Sequence, residues 1–299
     1  MITSQFFKTL RTTCVMALAA SALPTWAQQP APAMVEAVQM PAWVERGTDK
    51  VPLAPGMGLR DTDRVRTGGN ARIVLRMAEG SSVKLGEKST LLLDGMRMRP
   101  KENVFAATMN VFEGAFRFTT NALSKFRGTR QVNVTISAVT AGIRGTDLWG
   151  KAAPDRDIVC LIEGIIEVRR GADAPFTMDQ PLMFYIAPKD KPPLPVAPVP
   201  KEQLEQWAAE TEIQPGRGAA RRGGKWKVVL ATVDTQQEAL LVYDVVRGEG
   251  YAAQIRPKDQ KGKHVYDVRL AQLPSKAEAQ ALADALRGKM GVAEPKVSR

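Results

Sequence analysis

A chain that carries out acid–base or nucleophilic chemistry must bring a titratable group to a reactive partner, and this sequence offers few. His264 is the one histidine among 299 residues, and no G-x-S-x-G segment accompanies it. A Ser-His-Asp or Cys-His arrangement therefore lacks its parts. The cysteines are Cys14 and Cys160. Cys160 lies in the apolar run Ile158-Val-Cys-Leu-Ile162, where a thiol packs as a small core residue rather than acting as a nucleophile. This supply cannot build a Cys/His zinc set, and no P-loop or dinucleotide fingerprint is present. Carboxylate pairs such as Glu210/Glu212 and Asp155/Asp157 occur, as they do in any chain of this size, and nothing ties them to glycan cleavage by two carboxylates. The residue types predict a non-catalytic protein with no metal site and no cofactor.

If chemistry is absent, address and charge become informative. Lys8 and Arg11 precede an apolar stretch from Thr12 to Leu23, and Thr25-Trp26-Ala27 ends on a small residue. These are the three regions of a cleavable signal peptide over residues 1–27. The apolar run of about 12 residues is short of the ~20 that cross a bilayer, and the sequence predicts no transmembrane helix after cleavage. Removal would leave 299 − 27 = 272 residues, enough for two domains of roughly 100–200 residues. Cys160 would then be the only thiol, so no intramolecular disulfide is expected despite an oxidising compartment. The net charge of +11 falls by two with Lys8 and Arg11. A basic exported protein meets cell-wall polymer or membrane surface rather than nucleic acid. The expected location is the periplasm.

From Val35 to Ala187 the chain alternates short apolar runs with turn residues, and segments of helical period are nearly absent. This predicts an all-β sandwich or roll. In Arg64–Leu85 a period of two puts Ile73, Leu75 and Met77 on one face and Arg72, Val74 and Arg76 on the other, the pattern of a half-buried strand. Ser82-Val-Lys-Leu85 completes a hairpin across Ala78–Ser81. The stretch resembles the signature of the FecR-type periplasmic domain, a V-x-T-G turn followed by A-x-V-x-L and D/E-G-S-x-V-x-L-G. The resemblance continues in Phe112-Glu-Gly-Ala-Phe-Arg-Phe118, in Ala138-Val-Thr-Ala-Gly-Ile-Arg-Gly-Thr-Asp-Leu-Trp-Gly150 and in Cys160-Leu-Ile-Glu-Gly-Ile-Ile-Glu-Val168. Thr62-Asp63 stands where that family usually has Gly-Asp. In the 138–150 segment Gly142, Gly145 and Gly150 allow a bend between strands, across which Arg144 and Asp147 can pair.

Pro188–Pro200 reads as a stiff, extended connector, with Pro200 opening a helix over 201–212. Leu204, Trp207 and Ala208 share one face of that helix, which predicts docking back on the β-domain. The β-domain with this helix spans 35–213. Residues 214–224, rich in glycine and arginine, predict a flexible basic linker.

From Lys225 to Arg299 the pattern changes to a small α+β domain of order βαββαβ. Trp226–Thr232 is a strand and Thr235–Gly248 a helix. Tyr251–Arg256 and His264–Leu270 are strands. Ser275 caps a second helix in a capping box with Glu278, and 295–298 reads as a fourth strand. The module resembles the SPOR family, through V-x-L-A-x-V, A-L-x-x-Y-x-x-V-x-x-x-G-Y and Y-x-V-R-L with the S-x-x-E-A that follows. That family prefers Gln where Val229 stands, Gly where Ala231 and Ala271 stand, and a basic residue where Asp267 stands. Alternation places Lys227, Val229, Ala231, Asp267, Arg269 and Ala271 on the sheet face away from the helices, joined by Gln254 and Arg256.

The SPOR resemblance implies binding of peptidoglycan, notably glycan strands stripped of stem peptides. Sugar hydroxyl and acetamido groups need polar partners and sugar rings a flat apolar surface. Lys227, Gln254, Arg256 and Arg269 could supply the first and Trp226 the second. The expected protein is an exported envelope component anchored by this module, with the β-domain presented to an envelope protein partner or a ligand. Two alternatives are a FecR-type signalling regulator of a sigma-factor or iron-uptake-like pathway, and a protein-binding module in which the SPOR-like sheet has drifted.

Overall fold

The computed structural model describes residues 31–99, 101–120, 126–260 and 262–299. The segment read as a signal peptide, 1–27, lies outside them. The described chain begins with short strands β1 (Ala33–Gln39), β2 (Ala42–Arg46), β3 (Asp49–Pro52), β4 (Gly58–Leu59), β5 (Arg64–Thr67), β6 (Arg72–Met77) and β7 (Ser82–Leu85). Longer ones follow: β8 (Thr90–Arg99), β9 (Val104–Thr119), β10 (Thr129–Ile136), β11 (Val139–Ala152) and β12 (Arg156–Arg170). Then come β13 (Phe176–Met178), β14 (Met183–Pro188), β15 (Ala197–Pro198), helix α1 (Lys201–Thr211) and β16 (Ala220–Arg221).

These strands form one connected sheet whose main path runs β15-β14-β12-β11-β10-β9-β7-β6-β1-β16. β9 ties it together. Its Val104–Val111 segment runs parallel to β10, and its Gly114–Thr119 segment pairs antiparallel with β11. Phe105, Phe116, Phe118, Leu75 and Leu91 are buried at its centre. The expected hairpin is present, with Ile73 opposite Leu85 and Leu75 opposite Val83.

β6 is not half-buried as its alternation predicts. Ile73, Leu75 and Met77 face the core, but Arg72 and Val74 on the other face are covered too. The C-terminal end of α1 and the residues after it lie over them, so a second layer hides a face that the local pattern marks as wet. α1 docks through Trp207, which stacks on Trp149 with centroids 4.7 Å apart and planes 8° from parallel. Phe184 meets Trp207 edge-on at 5.7 Å. Ala115, Ile158 and Cys160 complete this satellite core.

Burial pushes the Cys160 thiol up to about 12, with the nearby Asp147 charge acting in the same direction. The thiolate is the reactive form, so Cys160 in the folded chain is expected to resist iodoacetamide between pH 7 and pH 9 and to react once urea unfolds the protein. Equal rates in the two states would contradict that environment.

The 138–150 segment differs from a bend between strands. From Val139 onward it lies within β11, a strand of 14 residues. Its pairing with β12 shifts register between Arg144 and Asp147, so Gly145 serves a bulge rather than a turn, while Gly142 and Gly150 stay in regular register with Glu167 and Val159. Asp147 is held by Arg117, whose Nε and Nη2 donate to its carboxylate at 2.9 and 2.7 Å, and by Thr119 Oγ1 at 3.2 Å. These hydrogen bonds raise the Arg117 pKa above its ordinary value despite burial. Arg117 also reaches Glu212 at 3.3 Å, tying the bulge to the end of α1.

The glycine-rich segment after α1 is also more ordered than its composition predicts. Ala220 and Arg221 pair with Val38 and Ala37 on the edge of β1. Gln214 N–H donates to Gln39 Oε1 at 3.2 Å. The edge of β1 and the polar side chain beside it offer hydrogen bonds that a Gly/Arg stretch can take.

Candidate functional site

The remaining elements are β17 (Trp226–Val233), α2 (Gln236–Gly248), β18 (Gln254–Gln260), β19 (Lys263–Leu273), α3 (Lys276–Leu286) and β20 (Lys296–Ser298). The strands form an antiparallel sheet of order β18-β19-β17-β20. Val228, Leu230, Val268 and Leu270 are buried beneath the helices with Ala239, Val246, Leu282 and Leu286. α2 begins at a complete capping box between Thr235 and Glu238. α3 does not. Ser275 Oγ accepts the Glu278 N–H at 3.2 Å, but the Glu278 carboxylate turns outward to the 216–219 segment. It accepts the N–H groups of Gly216 and Gly218 at 2.7 Å each and of Ala219 at 3.1 Å. Gly218 has φ +79°, and a Cβ there would lie 2.7 Å from Leu282 Cβ. On the other side, Ala42 N–H donates to the Gly250 carbonyl at 3.1 Å. The C-terminal module is thus fixed to the β-domain at two points, with its sheet face directed away from the helices.

That face carries a groove of 660 Å³. Lys227, Val229, Arg256, Lys258, Arg269 and Lys296 line it, with Thr232 and Asp267 on its floor. Two register shifts build it. Val229 pairs with Arg269 but Ala231 with Val268, so one extra residue on β17 brings Thr232, rather than Ala231, opposite Asp267. Thr232 Oγ1 donates to Asp267 at 2.6 Å and Lys258 Nζ donates to it at 2.7 Å. The acidic side chain is thereby buried and paired, offsetting one of the five cations that line the groove. Arg269 is different. Its Nε is sealed from solvent without a hydrogen-bond partner. Burial, and then the positive charge of Arg256, hold its pKa below the ordinary arginine value, against Asp267. Lys227 Nζ donates to the Arg299 carbonyl at one end of the groove.

Of the residues the sequence singles out, the structure brings Lys227, Arg256 and Arg269 together and sets two apart. Trp226 pairs with Leu273, packs on the apolar core, and lines a separate cleft with Arg222 and Lys225. Gln254 is in register with Arg269 and so shares its sheet face, but it stands beyond the residues that line the groove. Sequence reasoning missed Lys258 and Lys296. Lys258 follows Arg256 by two and so shares its face, a signal available in the letters. Thr232 was hidden by the bulge. His264, the lone histidine, is exposed, with Nδ1 against Asp259. Among the described residues no cluster of three or more His, Cys, Asp or Glu is placed to hold a metal ion, and no helix is long and apolar enough to cross a membrane.

Comparison with known proteins adds family to geometry. The family model for FecR protein matches residues 63–167, and that for the SPOR domain matches residues 222–295. No curated protein matches the chain. Similar solved structures include two of a candidate anti-sigma factor from Parabacteroides distasonis, at 2.50 and 1.65 Å resolution. They are 10% and 13% identical, cover 67% and 68% of this chain and 96% and 97% of their own, and superpose with TM-scores of 0.39 and 0.36. The chain joins a FecR domain to a C-terminal SPOR domain.

Proposed function

We propose that this protein is a non-catalytic, exported component of the cell envelope that binds peptidoglycan glycan strands through the open sheet face of its SPOR domain. In this reading the FecR domain, a sandwich-like roll, is presented to an envelope protein partner or a ligand, and residues 1–27 direct the chain to the periplasm. The observation that carries it is the open groove on which the half-buried Arg269 is gathered with Arg256, Lys227, Lys258 and Lys296. A polymer rich in hydroxyl, acetamido and carboxylate oxygens offers acceptors to such a row of cations. Arg256 and Lys227 extend the same surface along the strands.

Co-sedimentation of the chain with purified sacculi, before and after an amidase removes the stem peptides, tests this. Stronger pelleting after amidase is the expected result, and Arg269→Met should weaken it about tenfold or more, the scale of a lost charge-assisted hydrogen bond. Val229 lies in the groove between Arg269 and Lys296. Val229→Gln adds an amide there and is expected to strengthen pelleting. Absence of pelleting with either preparation would reject the glycan reading and favour a sheet that binds protein.

The FecR match supports a second reading, in which the β-domain relays a signal in a sigma-factor pathway. That role requires a membrane-spanning segment, for which residues 1–23 are the candidate if they are retained. The mass of the mature N-terminus separates the two.

A further inference from the structure

One buried side chain of the FecR domain has no role in the reading above. Arg72 on β6 is only 7% exposed. Its guanidinium reaches backbone carbonyls alone, and both at long range: Nη1 to Asn70 O at 3.4 Å and Nη2 to Ala209 O at 3.5 Å. Its Nε is shut off from solvent with no hydrogen-bond partner, and among the described residues no carboxylate forms an ion pair with it. A buried cation without a counter-charge is destabilising and persists where something else gives it a purpose.

Arg72 lines a cavity of 360 Å³ together with Glu87, Lys88, Glu113, Lys151 and Glu210. α1 closes one side of it: a Cβ at Gly86 would lie 2.7 Å from the Glu210 carbonyl oxygen. Two of the charged groups are already engaged with each other, Lys151 Nζ donating to Glu210 at 2.8 Å. Glu87 Oε2 accepts the Asn70 N–H at 2.7 Å. Arg72, Lys88 and Glu113 remain without an ion-pair partner among the described residues.

We propose that this cavity is a binding site for a small zwitterion, a free amino acid or a dipeptide, with its carboxylate on Arg72 and Lys88 and its ammonium on Glu113. The planar guanidinium is matched to a carboxylate, which it can meet with two parallel hydrogen bonds. A phosphate dianion fits worse, because three carboxylates share the lining with three cations and leave no net positive charge. The volume is near the lower end of the ~300–1,000 Å³ typical of small-ligand sites, which favours one or two residues over a polymer.

Isothermal titration calorimetry of the full chain with alanine and alanyl-alanine, each of either hand, tests the site. At least one of these is expected to bind. Its amide, which lacks the carboxylate, should bind at least about tenfold more weakly, as should the parent ligand to Arg72→Met. Arg72→Lys, which keeps the charge and loses the fork, should also weaken binding. Glu113→Gln and the N-acetylated ligand probe the opposite end and are expected to lose a few-fold. If Arg72→Met fails to fold, the ligand series and the exposed Glu113→Gln carry the test alone. No heat from any of the four parent ligands at about 10 mM, a range that reveals millimolar affinity, would overturn the proposal, as would an amide that binds as well as its parent.

Discussion

Gly164→Ala is expected to destabilise the FecR domain by about 3 kcal/mol, the sum of backbone strain and forced overpacking. Gly164 lies in β12 with φ +96°, and a Cβ there would stand 2.5 Å from the Gly145 carbonyl oxygen and 2.9 Å from Thr146 Cα. Neither neighbour can swing away, because both are backbone atoms of the facing bulge. That bulge orients Asp147 toward Arg117, so the added methyl would also disturb the ion pair linking β11 to the end of α1. Gly145 provides the control. It too has positive φ, at +64°, but a Cβ there would meet nothing within 4 Å. Asparagine tolerates that conformation, and Gly145→Asn should cost less than about 1 kcal/mol. Urea unfolding of the three proteins decides the matter. Equal midpoints for Gly164→Ala and the parent would mean that the contact between residues 145 and 164 yields without strain.

What the letters can and cannot show follows from the range of the forces involved. The hairpin of Arg72–Met77 and Ser82–Leu85 is legible because alternation and turn residues are local. So is the docking of Trp207, since a tryptophan on one face of a short helix has few alternatives to burial. The covering of Arg72 and Val74 is not legible, because the residues that cover them come more than 130 positions later, with the Arg72–Ala209 contact as the clearest case. At the sheet face the period-two rule identifies Lys227, Arg256 and Arg269, but each bulge moves the pattern by one residue. Thr232 enters the groove by the shift on β17, whereas Trp226 shares the parity of Val228 and Leu230, so alternation by itself assigns it to the core side. A rule that counts by twos cannot see an inserted residue. The 214–224 segment eludes composition for a related reason: glycine and arginine content reports what a segment does when nothing binds it, and here the β1 edge and Glu278 do.

Glu278→Ala is expected to loosen that segment, lowering hydrogen-exchange protection at Gly216, Gly218 and Ala219 by roughly thirtyfold, equivalent to about 2 kcal/mol for a shared carboxylate acceptor that is partly solvated. Two features make Glu278 the critical residue. Its carboxylate serves three backbone donors at once, and its position in the first turn of α3 fixes it to the SPOR domain while the donors belong to the segment leaving the FecR domain. The helix itself should be little affected, because Ser275 already caps it without help from the Glu278 side chain. Glu278→Gln retains an acceptor oxygen and should lose less. A second readout follows from the arginines in the segment: with the carboxylate gone, trypsin is expected to cut after Arg217, Arg221 or Arg222 well before the domains unfold, releasing the SPOR domain intact. In the parent chain the β1–β16 pairing and the Glu278 contacts must open first, so cleavage there should be slower and track that local opening. Identical cleavage rates in parent and variant would show that the segment is held by strand pairing alone. Loss of the contact would leave the cationic groove of the SPOR domain unchanged while freeing its direction relative to the FecR domain, so the same variant separates the effect of the groove from that of its orientation.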